Sequence, residues 1–89
     1  MMPKPSQGRI VTARGGRAVS NGCETAPALI TRVFGQNENG SWTVNATLFP
    51  DATDPRTVTS VYLYEDEDAL PADLADNPRV TALHWPARV

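Results

Sequence analysis

One cysteine among 89 residues leaves no partner for an intrachain disulfide, so a stapled fold is excluded and only a cross-link between chains remains open to Cys23. A reducing compartment fits that usage. Histidine is equally scarce: His84 and Cys23 together offer two nitrogen or sulfur ligands where a structural zinc site takes about four. The acidic run at residues 65–68 lacks the glycine-punctuated spacing of a calcium loop. No metal and no cofactor is therefore expected. No stretch approaches the roughly 20 apolar residues that cross a bilayer, and Met1-Met2-Pro3-Lys4-Pro5 has no apolar segment behind its lysine. The chain is read as unsecreted and outside membranes. Positive charge is short as well, with 8 Lys and Arg against 10 Asp and Glu and a net charge of -2. A general nucleic-acid binder needs a cationic surface to displace phosphate counterions, so that class is excluded, while a local basic pocket is not. Gly-x-Ser-x-Gly and phosphate-loop signatures are missing. Nucleophilic catalysis is left with the single pair Cys23 and His84, and the expectation is that the protein is not an enzyme.

What the chain does have is a series of short β-prone runs separated by turn residues. Residues 9–13 are a β-branched run that ends where Gly15-Gly16 breaks regular structure. Residues 14–27 read as an irregular loop, with Ser20-Asn21-Gly22 as a turn and Pro27 closing it by denying a backbone donor. Residues 28–34 are a second strand, and 35–40 a hairpin loop with Asn39-Gly40 at a left-handed position. From 41 to 49 the pattern alternates, with Trp42, Val44, Ala46 and Leu48 on one face and Thr43, Asn45 and Thr47 on the other. That is the period of a sheet with one buried side. Residues 50–55 must turn, with Asp51 and Asp54 capping their own backbone. Residues 56–64 form a fourth strand whose apolar parity slips between Val58 and Val61, which predicts a bulge. Residues 65–78 are expected to be a mobile acidic loop holding at most one helical turn, and 80–85 a last strand stopped by Pro86.

The expected fold class is all-β, a small five-stranded antiparallel barrel of the SH3-like or OB-like kind, with a two-sheet sandwich as the alternative. Residues 1–89 read as one domain with an extended lead-in over 1–8. Its core is close to the lower limit for independent folding, so a homo-oligomer is expected.

Arginine and aromatic side chains carry the remaining chemistry. An arginine fork pairs with phosphate through two parallel hydrogen bonds, and an aromatic face stacks a base at roughly 1–3 kcal/mol. Trp42 shares the parity of Val44 and reads as core. Trp85, between His84 and Pro86, either caps the open end of the barrel or lines a pocket. Arg32 interrupts an apolar strand and must face solvent, an acid or a ligand. Gly8 permits close backbone approach beside Arg9. The candidate ligand-binding set is Lys4, Ser6, Arg9, Arg32, Trp85 and Arg88, gathered in pockets between subunits, and no residue is assigned a catalytic or metal-binding role.

Several segments taken together have a family look. Lys4-Pro5-Ser6-x-Gly8-Arg9-Ile10-Val11, Ala28-Leu29-Ile30-Thr31-Arg32-Val33, Leu48-Phe49-Pro50-Asp51, Val58-Thr59-Ser60-Val61 and His84-Trp85-Pro86-x-Arg88-Val89 span nearly the whole chain. In order and placement they resemble a family of small proteins common in actinobacteriophages and prophages. Members of that family often continue Ile-Val with a His-Tyr pair, where this chain has Thr12-Ala13. The resemblance implies a phage origin and a setting in the cytoplasm of an infected bacterial host or in the virion.

Two function classes follow. The first is a phage-encoded, non-enzymatic binding protein that sequesters a small anionic nucleotide, such as a cyclic nucleotide or ADP-ribose-type signal of bacterial immunity. The second is a structural or virion accessory piece, or a protein-interaction module. An enzyme is the third class.

Overall fold

The computed structural model describes residues 4–72 and 80–86. Five strands follow the chain: β1 (Ile10–Arg14), β2 (Thr25–Gln36), β3 (Trp42–Leu48), β4 (Arg56–Tyr64) and β5 (Ala82–His84), with short 3-10 turns at Gly16–Ala18 and Glu67–Ala69. They close into a barrel in chain order, each strand paired with the next and β5 with β1. This is the small all-β barrel that the patterning predicts. Its neighbours are consecutive, a meander that differs from the Greek-key path of an OB barrel.

One pairing departs from the expected antiparallel arrangement. β4 and β5 run parallel, Leu63 opposite Leu83 and Tyr64 opposite His84, whereas the remaining pairs are antiparallel. The reason is arithmetic: strands that alternate in direction cannot close a ring of five without one like-directed pair. A parallel pair in turn needs a crossover of a dozen or more residues. Residues 65–81 supply it.

Inward positions follow the two-residue period. Val11, Ala13, Ala26, Ala28, Ile30, Val44, Ala46, Leu48, Val58, Leu63 and Leu83 form one buried cluster, joined by Ala18. Alanine recurs because a barrel needs roughly eight strands before its interior admits full-sized side chains everywhere. A second, smaller cluster of Tyr64, Leu70 and Ala82 packs on the outside of the seam, where the crossover folds back.

β4 carries the bulge its parity slip predicts. Val44 faces Val61 and Ala46 faces Val58, so Asn45 opposes two residues. Ser60 takes the left-handed conformation there, at φ 54. Its N–H donates to Asn45 Oδ1 at 2.9 Å, which satisfies the backbone group the bulge frees.

Three further expectations need correction. β2 begins at Thr25, so Pro27 lies inside a strand instead of closing a loop. It is tolerated because its carbonyl accepts from Phe49 N–H at 2.9 Å just past the end of β3, placing the missing donor at the end of that ladder. Asp51, expected to cap its own turn, instead accepts from Asn21 Nδ2 at 2.8 Å. It braces the neighbouring turn, where Asn21 and Gly22 are both left-handed and Ser20 and Cys23 exchange backbone bonds. The acidic run is also less idle than a solvated strand end. Asp66 caps the 3-10 turn through Ala69 N–H at 2.8 Å, and Glu67 pairs with Arg14 at 2.6 Å. Of the expected 65–78 loop, residues 73–78 lie outside the described residues.

Candidate functional site

Arg9 precedes β1 by one residue and shares the parity of Val11 and Ala13, both of which point into the barrel. Trp85 follows β5 by one residue and shares the parity of Leu83. Thr12 opposes His84, so the antiparallel register carries the start of β1 and the end of β5 to the same mouth of the barrel. There the Arg9 guanidinium carbon lies 5.3 Å from the centroid of the Trp85 ring. A cation at that distance is attracted by the ring's negative face.

The backbone on both sides is fixed. Ser6 to Arg9 form a turn closed by Arg9 N–H to the Ser6 carbonyl at 3.3 Å, with Gly8 at φ 87. A positive φ at the third position of such a turn is the reason for glycine. Gly8 N–H and the Arg9 carbonyl bond Ile30, and the Gln7 side chain donates to the Thr31 carbonyl at 2.8 Å. Trp85 N–H donates to the Tyr64 carbonyl at 3.1 Å, and His84 Nδ1–H donates to the Trp85 carbonyl at 2.9 Å. Neither Arg9 nor Trp85 hangs on a free loop.

Trp85 does two jobs. It packs against the buried cluster, as does Trp42 at the start of β3. The Nε1–H of each indole is buried with no acceptor among the described residues. An unmet buried donor costs about 1–3 kcal/mol, a penalty that an acceptor from outside can offset.

The six residues expected to share a pocket are divided by the fold. Arg9 and Trp85 come together. Arg32 sits with Phe34 on the outer face of β2, its guanidinium carbon 4.7 Å from that ring. Lys4 and Ser6 are exposed, and their side chains make no hydrogen bond or ion pair among the described residues. Arg88 lies outside the described residues. Two further arginines are engaged in the fold: Arg14 pairs with Glu67, and Arg56 Nη1–H donates to the backbone carbonyls of Arg17 and Val19 at 3.0 and 3.2 Å. Arg9 and Arg32 therefore stand out among the described residues as stacked cations without a carboxylate partner.

Cys23 is exposed in its turn, while His84 is buried in β5 with one ring nitrogen bonded to the next carbonyl. No hydrogen bond links the two. Among the described residues no three His, Cys, Asp or Glu side chains gather as a metal site, and no helix is long and apolar enough to cross a membrane.

Two concavities were not legible in the sequence. One, of about 400 Å³, lies between residues 60–62 of β4 and residues 80–82. The other, of about 270 Å³, lies between the 36–41 loop and the 65–71 segment. Tyr64 and Pro71 line both. The parity slip between Val58 and Val61 predicts the bulge beside the first, not the concavity itself. Comparison with protein-family models, with curated proteins and with solved structures gives no match for this chain.

Proposed function

We propose that the protein is a non-enzymatic binding module that holds a small anionic ligand with a planar part, of the nucleotide class, at the Arg9–Trp85 mouth of the barrel. One observation carries this reading: a guanidinium stacked on an indole, anchored by backbone bonds on both sides, with no acidic partner among the described residues. The stack leaves the guanidinium's N–H groups available for two parallel hydrogen bonds to a phosphate, while Trp85 offers an aromatic surface to a base. In its finest form the reading is sequestration of an immune nucleotide signal by a phage-encoded oligomer in an infected bacterium, with Arg9 of each copy at a mouth.

The test is thermal shift of the full chain against a panel of cyclic dinucleotides and cyclic ADP-ribose isomers, followed by recovery of the ligand. A ligand at about 100 times its Kd stabilises by about 2.7 kcal/mol, and for a domain of this size each 1 kcal/mol raises Tm by roughly 4–8 °C. The expected result is a rise with at least one compound, recovered intact and lost in Arg9→Gln. A flat panel contradicts the reading, and a chemically altered ligand replaces it with an enzyme.

A further inference from the structure

We propose that Leu70 and Tyr64 are positioning residues for the mouth: the first part of the crossover, residues 65–71, clamps the β4–β5 seam from outside and so sets where Trp85 lies beneath Arg9. This inference rests on the Arg9–Trp85 mouth as the ligand site and names what governs its assembly.

The seam is the shortest joint of the barrel. β5 is three residues long, and β4 meets it only at Leu63 with Leu83 and Tyr64 with His84. So short a ladder opens locally at low free energy. Trp85 lies past the register that β5 shares with β1, which ends at Thr12 and His84. Its one backbone–backbone bond among the described residues runs from its N–H to the Tyr64 carbonyl at 3.1 Å. The indole also packs on the main cluster, but the backbone from which it projects follows Tyr64.

Tyr64 is held in turn by the crossover. Tyr64, Leu70 and Ala82 form a buried cluster apart from the main core, with Tyr64 at the end of β4 and Ala82 at the start of β5. Leu70 therefore spans both strands where their backbones share few bonds. The 3-10 turn Glu67–Ala69 folds it back: Asp66 accepts from Ala69 N–H at 2.8 Å, and Leu70 N–H donates to the Glu67 carbonyl at 3.2 Å. Glu67 fastens the same turn to Arg14, the residue directly opposite Ala82. The turn is thus pinned at two points that converge on Ala82. Apolar area buried across a short ladder raises the free energy of opening it. An opening of the seam releases the Trp85 N–H and parts the indole from Arg9, so the clamp sets the fraction of molecules whose mouth is assembled. Apparent affinity falls with that fraction.

The experiment is NMR of the free, labelled full chain, so its outcome does not depend on which nucleotide binds. One readout is the exchange rate of the Trp85 amide relative to the Ile30 amide, which bonds the Arg9 carbonyl at 2.9 Å. The other is the ring-current shift that Trp85 imposes on the Arg9 side-chain protons. Leu70→Ala is expected to raise the relative exchange rate by about tenfold or more and to shrink the Arg9 shift. Leu70→Met keeps the packed volume and should restore both. Val58→Ala truncates the main cluster instead and should leave both at their parent values. Glu67→Gln, a mild exposed change, should act as Leu70→Ala does with smaller amplitude, and it decides the matter if the alanine variant does not fold. The proposal is overturned if these seam variants leave Trp85 and Arg9 unmoved. It is equally overturned if Val58→Ala moves them as far, since general loss of stability would then account for the change. A flat nucleotide panel beside a positive result here removes the ligand and leaves the clamp standing; the reverse combination removes the clamp alone.

Discussion

At the scale of single residues, Arg9 and Ser60 show how local conformation serves the site and the barrel. Arg9 continues the inward parity of Val11 and Ala13 beyond the last place where an apolar side chain is needed, so its charged head reaches the mouth and stacks on Trp85. That parity was legible in the sequence. Its partner was not, because nothing local in a strand tells which residue of a distant strand lies across the ring. An exposed cation–π pair contributes about 0.5–1 kcal/mol. Arg9→Gln is accordingly expected to shift the urea midpoint only slightly while abolishing ligand binding. Trp85→Leu removes core packing as well and should cost about 1–3 kcal/mol. At the bulge, Asn45→Ala exchanges the Ser60 N–H acceptor for water, an expected loss of about 0.5–1.5 kcal/mol. Ser60→Gly should be neutral or stabilising by up to about 1 kcal/mol, since glycine adopts a positive φ without strain. Chemical denaturation of the two variants side by side checks both signs.

Elements were legible in proportion to how much of their pattern is local. β3 alternates without a break and folds as read, with Val44, Ala46 and Leu48 buried. β4 matches its expected bounds, and its slip is a true bulge. β2 exceeds the expected 28–34 at both ends because Pro27 and Gly35 are breakers only in isolation. In the barrel Pro27 falls at a ladder end, and two irregularities near Thr31 and Phe34 let the strand bend around the core. Alanine in the middle of β3 is dictated by the narrow interior. Ala46, fully buried between Ile30 and Val58, has no room for more carbon. Ala46→Leu is expected to destabilise by about 1–3 kcal/mol or to block folding, read by thermal unfolding. The Arg14–Glu67 pair ties β1 to the crossover, but Glu67 is 66% exposed. Glu67→Gln should therefore cost under about 1 kcal/mol, and the difference from the parent should shrink with added salt.

For the whole molecule, closure explains more than composition does. An odd number of strands forces a like-directed pair, here β4–β5, that pair needs a long crossover, and the crossover contains the acidic segment expected as a mobile loop. The count of five strands already contained this consequence, though the direction of a single pair cannot be read from residue pattern. Closure also separates two surfaces of opposite character, with stacked Arg9 at the mouth and acids beside the seam. Function was less legible than fold, because the candidate cations are scattered along the chain and only the register brings Arg9 to Trp85. The most direct measurement uses the two tryptophans as reporters. In the NMR spectrum of the labelled chain, each indole gives one Nε1–H signal, assigned by Trp85→Phe. Titration with the nucleotide that raises Tm should move the Trp85 signal and leave Trp42 nearly in place. A Trp85 signal that stays fixed while the nucleotide is bound would contradict the mouth as the ligand site.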